Sequence, residues 1–230
     1  MPTVYWLLQR ASDVPEADDW LSPAERDVLA RFQVRKRRRD WRLGRWTAKR
    51  ALVLAGAMAQ SGVDPVSLLR LSIEPTDAGV PLARMDGKPA GWTISLSHSG
   101  ENGLCVVTAG CVALGCDIET VGRHGEALVV DYFTASERAQ VLDAEGEDRS
   151  RRVTLIWSAK ESALKALGTG LRTDTRDVDV ALGAESRSGG TWQPLTVRTA
   201  SSLLEGWWQA VGECVMTLVA DPPPNEPECL

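Results

Sequence analysis

Gly115-Cys116-Asp117-Ile118-Glu119 sets two carboxylates at i and i+2 in a short apolar run. On a strand, both side chains leave from the same face. Two acids held side by side repel, and a hard cation with oxygen ligands relieves that repulsion. Magnesium suits the role because it keeps several waters and binds substrate phosphates at the same time. An exposed strand edge is the plainer reading of the same pair. Farther on, Trp157-Ser158-Ala159-Lys160-Glu161-Ser162-Ala163-Leu164-Lys165 puts Glu161 and Lys165 at i and i+4 along the helix side that carries Trp157, Leu164 and Gly168. That spacing describes either a surface ion pair beside core positions or an acid and a base delivered to one site. Ser97-His98-Ser99-Gly100 holds one of the chain's two histidines, and Asp86-Gly87-Lys88-Pro89 has the composition of a tight turn that displays a lysine. His98 reads as structural or functional, and Lys88 as a loop lysine or an anion ligand. His124 has no comparable setting.

The elements that must carry these residues follow from local pattern. Ser22-Pro23-Ala24-Glu25 joins an N-cap serine, a proline at the first helical position and an acid in the first turn, so a helix begins there. Apolar positions at helical spacing continue through Phe32 and then from Trp41 to Val53, which predicts two helices or one broken helix, closed near Ser61-Gly62. From Thr93 the texture changes to short β-branched runs, Thr93 to Leu96, Leu104 to Thr108 and Val112 to Ile118, which read as adjacent strands. Thr134-Ala135-Ser136-Glu137 matches a capping box. A longer helix is expected from Arg151 to Leu167, ended by Gly168 and Gly170, with strands at 178–182, 195–197 and 214–219. Helices followed by strands, twice over, predict an α+β fold of two similar halves, 1–112 and 113–220, with 221–230 as a loose tail. No residue-level repeat is evident between the halves.

Composition narrows the functions. The 230 residues, 43% hydrophobic and 25% charged, suffice for a substantial core, and no apolar run approaches the roughly 20 residues of a membrane span. The N-terminus lacks a secretory pattern, so a cytoplasmic, non-membrane protein is expected. Five cysteines without a CxxC pair argue against a disulfide framework or a zinc site and suggest buried free thiols. The net charge of -5 counts against a dedicated nucleic-acid binder. Yet Arg31 to Arg50 is strongly basic, with only Asp40 opposing Arg35, Lys36, Arg37, Arg38, Arg39, Arg42, Arg45, Lys49 and Arg50. Such a cluster suits a polyanion or forms a solvated helix face.

Taken together, Lys88-Pro89, Ser97-His98-Ser99, the Asp117/Glu119 run, Tyr132-Phe133-Thr134-Ala135-Ser136-Glu137 and the Trp157 to Lys165 segment have the order and spacing of one family. Over about residues 20 to 170 the chain resembles the 4′-phosphopantetheinyl transferases of the Sfp type. The resemblance implies two α+β halves related by a pseudo-two-fold axis, with coenzyme A and magnesium in the cleft between them. It implies that Asp117, Glu119 and Glu161 bind the metal and that Lys165 lies near the reacting phosphate. Arg45, after Gly44, matches a phosphate-binding arginine; Arg37 lies eight residues before it at a familiar spacing. Ser97 and His98 match nucleotide-phosphate contacts, and Lys88 joins them. The sequence departs from the family near Glu25 and Val28, where lysines are common, and at Cys116, where isoleucine is usual.

The implied reaction is attack by a serine hydroxyl of an apo acyl or peptidyl carrier protein on a phosphate of coenzyme A, leaving a phosphopantetheinyl serine and adenosine 3′,5′-bisphosphate. Glu161, directly or through a metal-bound water, is the candidate for accepting the serine proton, and a monomer is the implied state. Two other readings compete. A non-catalytic nucleic-acid-binding protein using segment 31–50 explains only the basic cluster, and a silent relative leaves the intact acids unexplained.

Overall fold

The structure is a computed structural model that describes residues 1–59, 68–142, 144–170, 173–183 and 192–230. Ser61-Gly62, expected to close the second helix, lies outside the described residues. Contacts divide the chain into two compact units. One comprises Thr3–Val112 with Glu228–Leu230, and the other Met1–Pro2 with Ala113–Pro227.

In the first unit, strand β1 (Tyr5–Arg10) precedes helices α1 (Pro23–Ala30) and α2 (Arg35–Ala59), and then β2 (Leu71–Pro75), β3 (Pro81–Met85), β4 (Lys88–Ser99) and β5 (Asn102–Ala109). In the second, β6 (Ala113–Thr120) precedes α3 (Glu126–Tyr132), α4 (Ala135–Leu142) and α5 (Gly146–Ala166), followed by β7 (Asp179–Leu182), β8 (Gln193–Arg198), β9 (Leu203–Val211) and β10 (Cys214–Asp221). The sheet orders correspond: β1-β5-β4-β3-β2 in one unit and β6-β10-β9-β8-β7 in the other. The fold is thus α+β, two copies of one strand-helices-four-strand scaffold, with α3 added in the second.

Three sequence expectations change. The runs 93–96 and 104–108 are neighbours in β4 and β5, but β6 pairs with β10 in the other sheet. The segment after Asp221, expected as a loose tail, contributes β11 (Glu228–Cys229), which pairs parallel with β1 and covers its open edge. Of the cysteines, Cys105, Cys116 and Cys214 are buried free thiols, whereas Cys111 and Cys229 are exposed.

Matching hairpins fix the correspondence residue by residue. β4 and β5 turn through Gly100-Glu101 after the pair Ser99–Asn102, and β9 and β10 turn through Gly212-Glu213 after the pair Val211–Cys214. Counting inward, Cys105 answers to Thr217, and their partners Leu7 and Asp117 answer to each other. By the same register Gln9 corresponds to Glu119 and Tyr5 to Gly115.

The helices are matched by a buried polar node. Ser22 and Glu25 cap α1 reciprocally, and the fully buried Lys49 of α2 reaches the Glu25 carboxylate at 2.5 Å. Lys49 also donates to the carbonyls of Trp20 and Leu68, while Glu25 accepts from the backbone N–H of Ile73 on β2. In the second unit Thr134 and Glu137 cap α4 reciprocally, and the buried Lys160 of α5 lies 2.8 Å from Glu137. Lys160 donates to the carbonyls of Thr175 and Val178, and Glu137 accepts from the N–H of Val180 on β7. Burial pushes the Lys49 and Lys160 ammonium groups down and the Glu137 carboxyl up. The backbone partners satisfy what the ion pair alone leaves open, which is the condition for keeping such charges inside.

The nodes expose a residue-level repeat: Trp46-Thr47-Ala48-Lys49-Arg50 in α2 answers to Trp157-Ser158-Ala159-Lys160-Glu161 in α5. Arg50 therefore stands where the second unit has Glu161.

A glycine decides where each helix rests. A Cβ on Gly115 of β6 would fall 1.8 Å from the Ser162 carbonyl oxygen and 2.6 Å from the Ala166 nitrogen, so α5 lies directly on β6. The first unit has Tyr5 there. Its glycine is one strand over, at Gly103 of β5, where an added Cβ would meet Leu43 and Thr47 of α2. Each helix then buries its apolar face on its own sheet, Ala159, Ala163 and Leu164 over Val215 and Val219 in one unit, and Ala48, Ala51 and Leu52 with Ile94, Cys105 and Val107 in the other.

Candidate active site

Because Gly115 faces α5, the side chains at 117 and 119 leave β6 on that same helix-covered face. Asp117 is buried and Glu119 partly buried. From α5, Lys165 extends its ammonium 2.7 Å from Asp117 Oδ1 and 3.0 Å from the Cys116 carbonyl oxygen. Burial works to lower the Lys165 pKa, but the charge and hydrogen bond of Asp117, with Cys116 and Glu161 adding, outweigh it and hold the ammonium above its ordinary value. Glu161, one helical turn before Lys165, is partly buried. Its carboxyl is pushed up, first by burial and then by the charge of Asp117, against the opposing pull of Lys165. The i,i+4 pair of the sequence is therefore no exposed surface bridge, since both members work in the field of Asp117.

Among the described residues no group of three acid, imidazole or thiol side chains is placed to hold a metal ion. The donor set nonetheless fits magnesium, which usually takes one or two protein carboxylates and completes its shell with water and phosphate oxygens. Asp117 and Glu119 supply hard oxygens from one strand face. Glu161, on the helix above, lies within the electrostatic reach of Asp117.

Trp157 precedes Glu161 by one turn and meets Tyr132 edge-on at 5.6 Å, and an open groove beside them is lined by Leu128, Asp131, Thr175 and Arg176. Sequence reasoning placed Trp157 on this helix side without assigning it a neighbour. His124 is occupied structurally: its Nε2 lies 2.8 Å from the Thr154 hydroxyl, and burial lowers its pKa.

The remaining sequence candidates belong to the first unit. Arg37 is exposed on α2. Arg45 is half-buried, its guanidinium 4.7 Å over the Trp41 ring, and burial lowers its pKa. Ser97 and His98 sit at the hairpin end of β4, near the start of α2. There burial works to raise the Asp40 pKa, but a hydrogen bond from Lys36 and the charges of His98, Lys36 and Arg39 hold it low. Lys88 lies at the opposite end of β4, exposed beside the turn where Asp86 and Gly87 take positive φ. Along β4 it is nine residues from Ser97, on the order of 30 Å for an extended strand.

The basic run is less bare than the sequence implied. Asp18 binds Arg38 and Arg42, Glu101 binds Arg39, Asp40 binds Lys36, and Glu25 binds Lys49. Among the described residues Arg35, Arg37, Arg45 and Arg50 make no ion pair. Folding thus brings acids from elsewhere in the sequence to several of these cations and leaves a few arginines without one.

Comparison with known proteins centres on the second unit. Residues 113–213 match the family model of the 4′-phosphopantetheinyl transferase superfamily. A Synechocystis protein, provisionally described as a 4′-phosphopantetheinyl transferase, is 29% identical over 132 residues, covering 52% of this chain and 53% of that protein. A holo-[acyl-carrier-protein] synthase of Chloroflexus aurantiacus is 42% identical over 52 residues, 23% of this chain and 38% of its own. The chain thus spans about half the length of the first of these relatives and less of the second. Among solved structures, a holo-(acyl-carrier-protein) synthase from Bacillus anthracis in complex with CoA (3′,5′-ADP) aligns with TM-score 0.39 and 20% identity over 47% of this chain and 95% of that one. The Thermotoga maritima holo-[acyl-carrier-protein] synthase aligns with TM-score 0.38 and 22% identity over 58% and 76%. No described helix is long and apolar enough to cross a membrane.

Proposed function

We propose that the protein is an Sfp-type enzyme that transfers the 4′-phosphopantetheine arm of coenzyme A to a serine of an apo acyl or peptidyl carrier protein. The observation that carries this reading is the Asp117–Lys165 pair at 2.7 Å, with Glu161 presented one turn away on the same helix. The match of residues 113–213 to the transferase superfamily supports it.

In this reading Asp117 and Glu119, with Glu161 from the helix above, would hold magnesium, which would supply the charge neutralisation that phosphoryl transfer chiefly requires. Lys165, kept protonated by its acidic neighbours, stabilises charge developing on the leaving side. Glu161 takes the serine proton as the hydroxyl oxygen bonds to phosphorus. The phosphorus–oxygen bond to the nucleotide breaks, and adenosine 3′,5′-bisphosphate leaves. Arg45 and Arg37 in the first unit, with Ser97 and His98, are the candidates for binding the nucleotide phosphates, whereas Lys88, at the other end of β4, is too far from Ser97 to share them.

The test is intact-mass analysis of apo carrier proteins incubated with the protein, coenzyme A and magnesium. A gain of one phosphopantetheine arm, absent with Asp117→Ala, is expected. A wild-type protein that neither modifies a carrier nor binds coenzyme A overturns the reading.

A further inference from the structure

Helix α5 carries two serines that the chemistry above does not use. Ser158 and Ser162 are fully buried, as is Thr217 of β10. The Ser162 hydroxyl donates to the Thr217 carbonyl oxygen at 3.2 Å and lies 2.7 Å from the Thr217 Oγ1, and the Ser158 hydroxyl lies 2.9 Å from that same Oγ1. Three hydroxyls in a dry core are costly unless bonded, and apolar groups of similar shape fill such a place at no polar cost. What hydroxyls add is directionality. An apolar helix-on-sheet contact tolerates sliding, whereas short bonds of defined angle fix one register.

The register fixed here concerns the site. Thr217 is the cross-strand partner of Asp117. Ser162 follows Glu161 directly and precedes Lys165 by three residues, so the bonds join the helix turn bearing both groups to the strand pair bearing Asp117.

The first unit provides an internal control. Its residues at the three corresponding positions are Thr47, Ala51 and Cys105. The Thr47 hydroxyl turns back to the Leu43 carbonyl of its own helix at 2.8 Å, and Ala51 has no hydroxyl to offer. The same scaffold thus folds without a hydroxyl clip, and this copy also has Leu7, Gln9 and Arg50 where the other has Asp117, Glu119 and Glu161. The clip accompanies the acids, not the fold.

We infer that Thr217, with Ser158 and Ser162, is a positioning residue that holds Glu161 and Lys165 at working distance from Asp117. The inference rests on the reading of those three as the active site, and it is tested without that activity. A double-mutant cycle of Asp117→Asn and Lys165→Met, read by urea unfolding, measures the coupling of the pair in three backgrounds: wild type, Thr217→Ser and Thr217→Val. Coupling is expected to persist with serine, which keeps the hydroxyl, and to fall by at least half with valine, which keeps the shape. Equal coupling in all three overturns the inference. If Thr217→Val does not fold, Ser162→Ala takes its place under the same criterion. A second readout is binding of Mn2+ with coenzyme A, followed by electron paramagnetic resonance. Thr217→Val is expected to weaken Mn2+ binding about ten-fold, and Val197→Ala, a truncation in the same core but on β8, two strands across the sheet from β10, less than two-fold. Equal weakening by both variants marks a purely structural role and overturns the inference. Absence of transfer and of Mn2+ binding by the wild type sinks the proposed function alone, because the unfolding cycle still decides the clip.

Discussion

Lys49 and Lys160 occupy the same place in two copies of one scaffold. Each is a fully buried ammonium on the long helix, paired with the capping-box glutamate of the preceding helix and bonded to two loop carbonyls. The residues beside them, Arg50 and Glu161, have opposite charge. The lysines therefore belong to the architecture, and the neighbouring position is where the copies differ in chemistry.

Removing either lysine strands a buried carboxylate. Lys160→Met and Lys49→Met are each expected to cost about 3–5 kcal/mol in urea unfolding, and Glu137→Gln with Lys160→Met together less than Lys160→Met alone. Lys165→Met, which leaves the buried Asp117 without its ion pair, is expected to lower both stability and turnover, turnover the more steeply. Similar unfolding midpoints for Lys160→Met and wild type contradict the nodes.

Glycine at 115 is expected to be irreplaceable. A methyl group there collides with the backbone of α5 at Ser162 and Ala166, so the helix must move. Gly115→Ala should cost at least about 1–3 kcal/mol and depress turnover with it. Gly56→Ala, where an added Cβ meets nothing within 4 Å, should gain about 0.5–1 kcal/mol. Urea midpoints measured side by side check both signs.

The raised Glu161 carboxyl makes a prediction about pH. Its unfolded value is near 4.3, so between that and the raised folded value the folded protein binds more protons than the unfolded chain. This group's contribution to stability then falls as pH rises through that window and stays unfavourable above it. Glu161→Gln should flatten the decline and melt higher than wild type at pH 7 in the absence of metal, while losing about 100-fold or more in turnover. A lower melting temperature for the variant at pH 7 contradicts the assignment.

Arginines that lack acid partners should matter more to coenzyme A than those already paired. Arg45→Ala is expected to raise the KM for coenzyme A by about ten-fold or more, corresponding to a lost charge-assisted hydrogen bond, with Arg45→Lys recovering only part. Lys36→Ala, whose ammonium is engaged with Asp40, should stay within about two-fold. Initial rates at varied coenzyme A distinguish the two.

Much of this was legible in the residues because the signals are local. The capping boxes at Ser22/Glu25 and Thr134/Glu137 announce their helices, and the i, i+2 acids announce a shared strand face. The long helix starts at Gly146, earlier than the expected Arg151, because its first turn is polar and carries no apolar period. What stayed hidden depends on distant partners. Lys49 reads as one cation among many until Glu25, Trp20 and Leu68 close around it, and Asp18 and Glu101 join the basic helix only through the fold. The repeat of Trp-Ser/Thr-Ala-Lys was available in the sequence. It was masked because the next residue reverses charge and the flanking stretches diverge.

The exchange of glycine between neighbouring strands has a further consequence. Carboxylates written onto positions 7, 9 and 50 would meet a different backbone in the first unit, because the close glycine approach of the long helix falls on β5 at Gly103 there and on β6 at Gly115 in the second. The two copies are no longer interchangeable parts. Their specialisation is stored in where the backbone allows the closest contact between helix and sheet.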